Sequence, residues 1–224
     1  MSFFSRWQLE RRRAKEAAQA MNPALKAVLA APLPKDSACF EDIRFLAIDF
    51  ETTGLDPAED QILSIGTVPI ENGSLVLGNA RYDVIDYPGT LNEETLAIHG
   101  LTHDALAQGV PFEAALERLL EDMTGAVMVA HQKAIESGFL NAACLKHFGA
   151  PCDTLWVCTL AIERRRTANC GADVSVRLGQ SRERYNLPRY KAHHALMDAL
   201  AGAELLLAQQ AHVSAHGCRL KDLT

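Results

Sequence analysis

The segment Phe45-Leu46-Ala47-Ile48-Asp49-Phe50-Glu51 constrains this chain more than any other, being a β-type apolar run with one acid inside it and a second at its end. Side chains two apart on a strand emerge on the same face, so Asp49 and Glu51 stand side by side. The apolar neighbours mark a core strand, where carboxylates without a compensating cation are costly to bury. Thr52-Thr53-Gly54-Leu55-Asp56-Pro57 is turn chemistry, which sets both acids at a strand end. Taken alone, an Asp-x-Glu is equally compatible with an exposed strand edge that carries acids for solubility.

The pattern around this strand gives the architecture. Gln61 to Ile70 and Ser74 to Ile85 read as two further strands joined through Glu71-Asn72-Gly73, where Asn-Gly suits a tight antiparallel turn. Three antiparallel strands are thus expected first. Helices are expected at Asn92 to His99, after a Thr102 cap, and where Phe112, Ala115, Leu116, Leu119 and Leu120 recur at helical spacing. Val127 to Ala130 reads as a short buried strand. It is followed by a helix from about Glu136 to Phe148, a strand or helix start near Asp153 to Ile162, an Arg-rich connection and a last helix from about His194 to Gln210. This order predicts an α/β fold, a mixed sheet of three antiparallel strands and then parallel strands, with helices on both faces. Met1 to Ala31 reads as one helix with Arg11 to Arg13 facing water, ended by Pro32 and Pro34. Residues 1–40 are therefore expected to be a helical arm, 41–212 the main domain and 213–224 a tail. The arm either packs on the domain or meets a protein partner. Trp7 and Trp156 are expected in core positions.

Composition narrows the class. With 224 residues, 48% of them hydrophobic and 22% charged, the chain suits one sizeable core. Its apolar runs are interrupted well short of a bilayer span, so no membrane is expected. Met1 to Ala20 has no apolar stretch ending in a small-residue cleavage site. The six cysteines have no Cys-x-x-Cys pair, which fits reduced thiols in a cytoplasm better than a zinc site. A formal charge of -6 argues against a broad basic face gripping long nucleic acid. Locally, Glu163 to Lys191 carries Arg164, Arg165, Arg166, Arg177, Arg182, Arg184, Arg189 and Lys191 against three acids; these bases suit either phosphates or a solvated surface.

Two further acids stand out. Ala130-His131-Gln132-Lys133-Ala134-Ile135-Glu136 is a strand end leading into a helix with an acid in its first turn, a position the helix dipole also favours. In His193-His194-Ala195-Leu196-Met197-Asp198-Ala199, an acid interrupts an apolar helical run that continues to Leu207. Aspartate is a mediocre helix former, so its presence there invites a functional reason.

Asp49 to Asp56, Ala130-His131 with a following acid and Phe139-Leu140, and His193-x-Ala-Leu-x-Asp198-Ala together resemble the three ordered motifs of the DEDDh branch of the DnaQ-like 3′-to-5′ exonuclease superfamily, which has an RNase-H-like fold. The match covers about Arg44 to Gln210. The resemblance implies that Asp49, Glu51, Glu136 and Asp198 hold two divalent ions, Mg²⁺ or Mn²⁺, and that His193 is the general base. Oxygen ligands suit those ions, and a pair of them can activate water and stabilise the leaving oxygen of a phosphodiester. Periodicity alone would choose His194, four residues from Asp198 on one helical face; the motif spacing chooses His193. Glu136 stands where the family usually has Asp, and Gln132 where Asn is common.

Ile98-His99-Gly100-Leu101-Thr102 resembles the segment that family members place beside the terminal nucleotide. His99, His131, Thr52, Thr53, Gly54, Leu55 and Phe139 are the expected substrate contacts, with hydroxyls, backbone N–H groups and apolar surface to offer a nucleotide. The activity implied is release of 5′-mononucleotides from 3′ ends, single-stranded DNA before short RNA. Two rivals are a binding module that has lost catalysis, marked by Glu136, and a proofreading subunit whose arm docks on a polymerase.

Overall fold

A computed structural model provides the fold. It describes residues 3–89, 91, 100–169, 174–213 and 217–224, with Phe3 and Phe4 as backbone alone. The apolar run that opened the sequence reading becomes β1 (Phe45–Thr52), the centre of a six-stranded sheet. On one side β1 pairs antiparallel with β2 (Ile62–Glu71), which in turn pairs antiparallel with β3 (Ser74–Leu75) and β4 (Arg81–Val84). On the other side it runs parallel to β5 (Val127–Ala130), and β5 parallel to β6 (Trp156–Cys158).

The two-residue period of β1 separates the two cores. Leu46, Ile48 and Phe50 face α2 (Pro23–Ala30), α4 (Phe112–Met123) and α5 (Lys133–Phe148), packing with Leu25, Leu116, Leu120 and Leu140. Phe45 and Ala47 join Val68, Val127 and Val157 on the opposite face, under Ile162 of α6 (Thr159–Thr167) and Ala199, Ala203 and Leu206 of α8 (Ala195–Ala211). Helices therefore cover both faces of a mixed sheet, the RNase-H-like arrangement. Two short helices, α3 (His103–Ala107) and α7 (Leu178–Glu183), lie in the connections, and α9 (Leu220–Leu223) ends the chain. Thr102 caps α3 by accepting from the Ala105 N–H at 3.1 Å. The helix expected at 92–99 lies outside the described residues.

Four expectations are corrected. The strand foreseen over Ser74 to Ile85 is broken by a 3-10 turn at Leu77–Asn79 into β3 and β4, although the Asn72-Gly73 turn before it forms with left-handed φ of 52° and 70°. The single helix foreseen over Met1 to Ala31 is two, α1 (Phe3–Gln19) and α2, because Asn22 is an N-cap and Pro23 occupies the first turn of the second. Arg13 does not face water. Its guanidinium is buried and donates to the Asp153, Val28 and Ala31 carbonyls at 3.1, 2.8 and 2.7 Å. Beside it Arg12 pairs with Asp153 at 2.5 Å. Trp156 is buried as expected, whereas Trp7 is 45% exposed, with the Arg11 guanidinium over its ring.

The arm is thus packed on the body through Leu9, Leu25, Val28 and Leu29. The chain end is tied as well: Phe40 N–H donates to the Cys218 carbonyl, Leu220 N–H to that of Ala38, and Leu220 and Leu223 are buried.

Asn22 carries the junction of the arm. Its Oδ1 accepts from the Ala24 and Leu25 N–H groups at 2.8 and 3.2 Å, and its Nδ2 donates to Glu117 of α4 at 2.6 Å. Asn22→Ala removes a cap and a charge-assisted bond together, so urea unfolding is expected to show a loss of about 2 kcal/mol.

Candidate active site

The odd-numbered face of β1 continues past Phe45 and Ala47 to Asp49 and Glu51, which project beneath the first turn of α8. Asp198 descends from that turn. Ligand oxygens of Asp49, Glu51 and Asp198 lie within 4.8 Å of one another. Glu136 joins from the first turn of α5, at the C-terminal end of β5. Its carboxyl is buried and its Oε2 has no hydrogen-bond partner. The four acids come from three elements meeting at the C-terminal ends of the parallel strands, where ligands commonly sit in such sheets.

Their protonation records the crowding. Burial, then the charges of Glu136, Asp198 and Glu51, hold the Asp49 carboxyl well above the usual carboxylate range. Burial pushes Glu136 up to about 7, against the opposing pull of its own backbone N–H. Asp198 is raised by burial and by Glu51, although the backbone N–H groups of His193 and His194 favour its charged form. Clustered buried carboxylates, one with an orphaned oxygen, have the chemistry of a set of oxygen donors for a hard divalent cation.

The two histidines ahead of α8 are separated by the structure. His194 is the N-cap residue, stacked on Tyr82 with ring centroids 4.4 Å apart and its Nδ1 buried without a partner. His193 is exposed, has a left-handed φ of 64°, and donates its backbone N–H to Asp198 Oδ2 at 2.7 Å. Of the pair, His193 is the exposed one, tied to the acids by its backbone.

The loop after β1 uses its hydroxyls internally. Thr52 Oγ1 donates to the Gly54 carbonyl at 2.5 Å, and Thr53 Oγ1 donates to Asp60 at 2.9 Å while accepting from the Gln61 N–H at 3.1 Å. A Cβ at Gly54 would lie 2.4 Å from the Asp60 carboxylate, so a side chain there would have to displace the acid that holds Thr53. Leu55, 76% exposed, projects from the loop as bare apolar surface. Phe139 is buried in the core against α5's neighbours. His131 has both ring nitrogens engaged: Nε2 contacts the Val176 carbonyl and Nδ1 the Thr159 hydroxyl, each at 2.9 Å. A carbonyl only accepts, so Nε2 carries the proton and Nδ1 accepts from Thr159. Burial lowers the His131 pKa in keeping with that neutral form. His131 therefore pins the 174–177 segment to α6. His99 lies outside the described residues.

Three of the eight bases in the arginine-rich stretch, Arg182, Arg184 and Arg189, are paired with acids. Arg182 is buried, donating to the Ala201 and Pro188 carbonyls and to Glu204 at 2.7, 2.9 and 2.6 Å. Arg184 pairs with Glu163 at 2.7 Å, and Glu163 also accepts from Tyr185 and Gln209. Burial alone would raise the Glu163 carboxyl, but these three partners hold it below its usual value. Arg189, on the surface, pairs with Glu183 at 2.8 Å. His147 meets Glu113 at 2.8 Å across helices.

Two residues that the sequence reading passed over shape this site. Asp49, Gly66 and Tyr82 form one row across β1, β2 and β4. A Cβ on Gly66 would fall 2.2 Å from the Ala195 backbone, so the gap in that row is what lets α8 sit down beside Asp49. A glycine inside a strand marks such close approaches, and that was the available signal.

Three acids that converge at one end of a mixed sheet, with a fourth within electrostatic reach, form a donor set suited to divalent ions. The chain matches the exonuclease family model RNase_T over residues 46–206, and it belongs to that family. Among its relatives, the DNA polymerase III subunit epsilon of Treponema pallidum is 28% identical over 176 residues, covering 78% of this chain and 80% of that protein. The PolC-type DNA polymerase III of Thermotoga maritima is 29% identical over 174 residues, covering 77% of this chain, which thus spans only 12% of that protein. Among solved structures, the nuclease domain of 3′hExo, a DEDDh family member bound to rAMP, superposes with a TM-score of 0.67 at 18% identity, covering 84% of this chain and 98% of that one. Exonuclease I gives 0.65 at 15% identity, covering 75% and 41%. These likenesses at low identity show the shared fold. Among the described residues no helix is long and apolar enough to cross a membrane.

Because the folded protein raises Glu136 above its ordinary value, the protonated form favours the fold. That contribution is complete below about 4.5 and is lost as pH rises through about 7. In EDTA, Glu136→Gln is therefore expected to raise the melting temperature at pH 8 by about 5 °C and to change little at pH 4, read by thermal melts at both values.

Proposed function

We propose that this chain is a 3′-to-5′ exonuclease, removing 5′-mononucleotides from nucleic acid 3′ ends with two divalent ions, Mg²⁺ or Mn²⁺. The observation that carries the reading is the convergence of Asp49, Glu51 and Asp198, with Glu136 within electrostatic reach of Asp49 and one of its buried oxygens unpaired. The chemistry such ions supply when bound is activation of water at neutral pH and neutralisation of charge on the leaving oxygen.

The chain's own groups divide the remaining work. His193, exposed beside Asp198, takes the proton of the attacking water. The Asp198 carboxylate, held by the His193 N–H, keeps that backbone in register with the acids. Leu55 offers a base an apolar face, and the backbone of Thr52, Thr53 and Gly54, stiffened by the bonds to Gly54 and Asp60, lines the same loop. His131 supports by holding the 174–177 segment, and Phe139 by filling the core below. Glu136 in place of Asp is accommodated, since its longer side chain already reaches the field of Asp49. Single-stranded DNA is favoured over short RNA by the likeness to polymerase III subunits.

A second reading, a proofreading subunit beside a polymerase, is supported by the near-equal coverage of the epsilon subunit and by the exposed Trp7 on the arm. Co-purification of a polymerase with the tagged chain, lost in Trp7→Ala, is its expected result.

With 5′-labelled single-stranded DNA and Mn²⁺, gels should show a ladder shortening from the 3′ end. EDTA should abolish it, and Asp198→Asn should slow it about 10³-fold, equivalent to ~4 kcal/mol of barrier. Immediate appearance of the label in mononucleotide would reverse the direction. Binding of Mn²⁺ without release of nucleotide from any DNA or RNA end would replace an enzyme with a binding module.

A further inference from the structure

We propose that Tyr82 and His194 are a positioning pair that sets His193 for proton removal, an inference that rests on the nuclease reading of the same site. The argument begins with the row Asp49, Gly66, Tyr82. Adjacent strands lie about 4.8 Å apart, so Tyr82 stands roughly 10 Å from Asp49 with a bare glycine between them. The backbone of Ala195 and Leu196 drops into that gap. The residue just ahead, His194, then meets the ring that borders the gap on its far side, and stacks on it with an interplanar angle of 27°.

How His194 is held matters. Its Nδ1 is buried without a hydrogen-bond partner, and its side chain does not cap α8. Its ring is thus retained by stacking shape. A histidine used as a base would need an accessible nitrogen, whereas one used as an anchor needs only its ring.

His193 needs such an anchor. A left-handed φ costs a residue with a Cβ about 1 kcal/mol or more, and it persists only where neighbours fix it. On one side of His193 the fixing bond is its N–H to Asp198 Oδ2 at 2.7 Å. On the other side it is the stacked His194. If Tyr82 is removed, the His194 ring loses its seat, His193 relaxes to an ordinary negative φ, and its side chain turns away from the acids. Tyr82 and His194 touch no substrate in this scheme; they act through His193.

The experiment uses the full chain on 5′-labelled single-stranded DNA, with kcat and KM from gels and Mn²⁺ affinity from calorimetry. Tyr82→Ala and His194→Ala are expected to lower kcat by ~10- to 100-fold, as misplacing a reacting group by about 1 Å does, with KM and Mn²⁺ affinity within ~3-fold. Tyr82→Phe and His194→Phe keep the stacked rings and should restore the rate to within ~3-fold of the parent protein. In a His193→Ala background, Tyr82→Ala should cost less than ~3-fold more, because the group it positions is gone. Thermal melts check folding; if Tyr82→Ala does not fold, Tyr82→Leu fills the space without a ring and carries the same expectation. A full rate in Tyr82→Ala, an undiminished penalty in the His193→Ala background, or His194→Phe as damaging as His194→Ala each overturns the inference while leaving the nuclease reading in place. A parent protein that releases no nucleotide overturns both.

Discussion

Like charges gathered in a buried place repel, and the protein holds four of them at the end of one strand. Asp49, Glu136 and Asp198 are all shifted toward their protonated forms, chiefly by burial. The surrounding packing has to hold it: the apolar alternation of β1, the covered faces of the sheet, and the seating of α8 on Gly66. The site is a local cost carried by two hydrophobic cores, as expected where function opposes stability.

The same division explains which parts of the molecule could be read from sequence. Strand periodicity put Asp49 and Glu51 on one face without reference to anything distant, and the Asn72-Gly73 turn declared itself by residue type. Glu136 and Asp198 were legible as misfits in apolar helical runs. The split of the arm at Asn22-Pro23 was also written locally, but the strong helix formers around it masked the signal. By contrast, Arg13 and Arg182 are buried by carbonyls contributed from elsewhere in the chain, which a reading of local charge cannot foresee. The row that joins Asp49, Gly66 and Tyr82 requires the register of three strands. His193 and His194 differ by a backbone rotation and a ring contact, neither of which has a signature in residue order.

Glu163 shows how a region rich in one charge becomes structural. Its carboxylate accepts from Arg184, Tyr185 and Gln209, so one buried acid joins α6, the segment after α7, and α8. Hydrogen bonds to a buried ion are stronger than those between neutral groups. Through Thr159, which holds His131, and Gln209, which donates to the Thr159 carbonyl, this network reaches the strand end beside the acids. Arg182 and Arg184 of the basic stretch thereby stiffen the wall of the site.

The amino-terminal arm gives the molecule a mechanical property. Arg12 and Arg13 grip Asp153, three residues before β6, and β6 ends one residue ahead of Thr159. The arm's two arginines thus brace the stretch of chain that leads through β6 to Thr159, the support of His131. A protein that took hold of this arm would have a lever on the rim of the cleft without ever entering it.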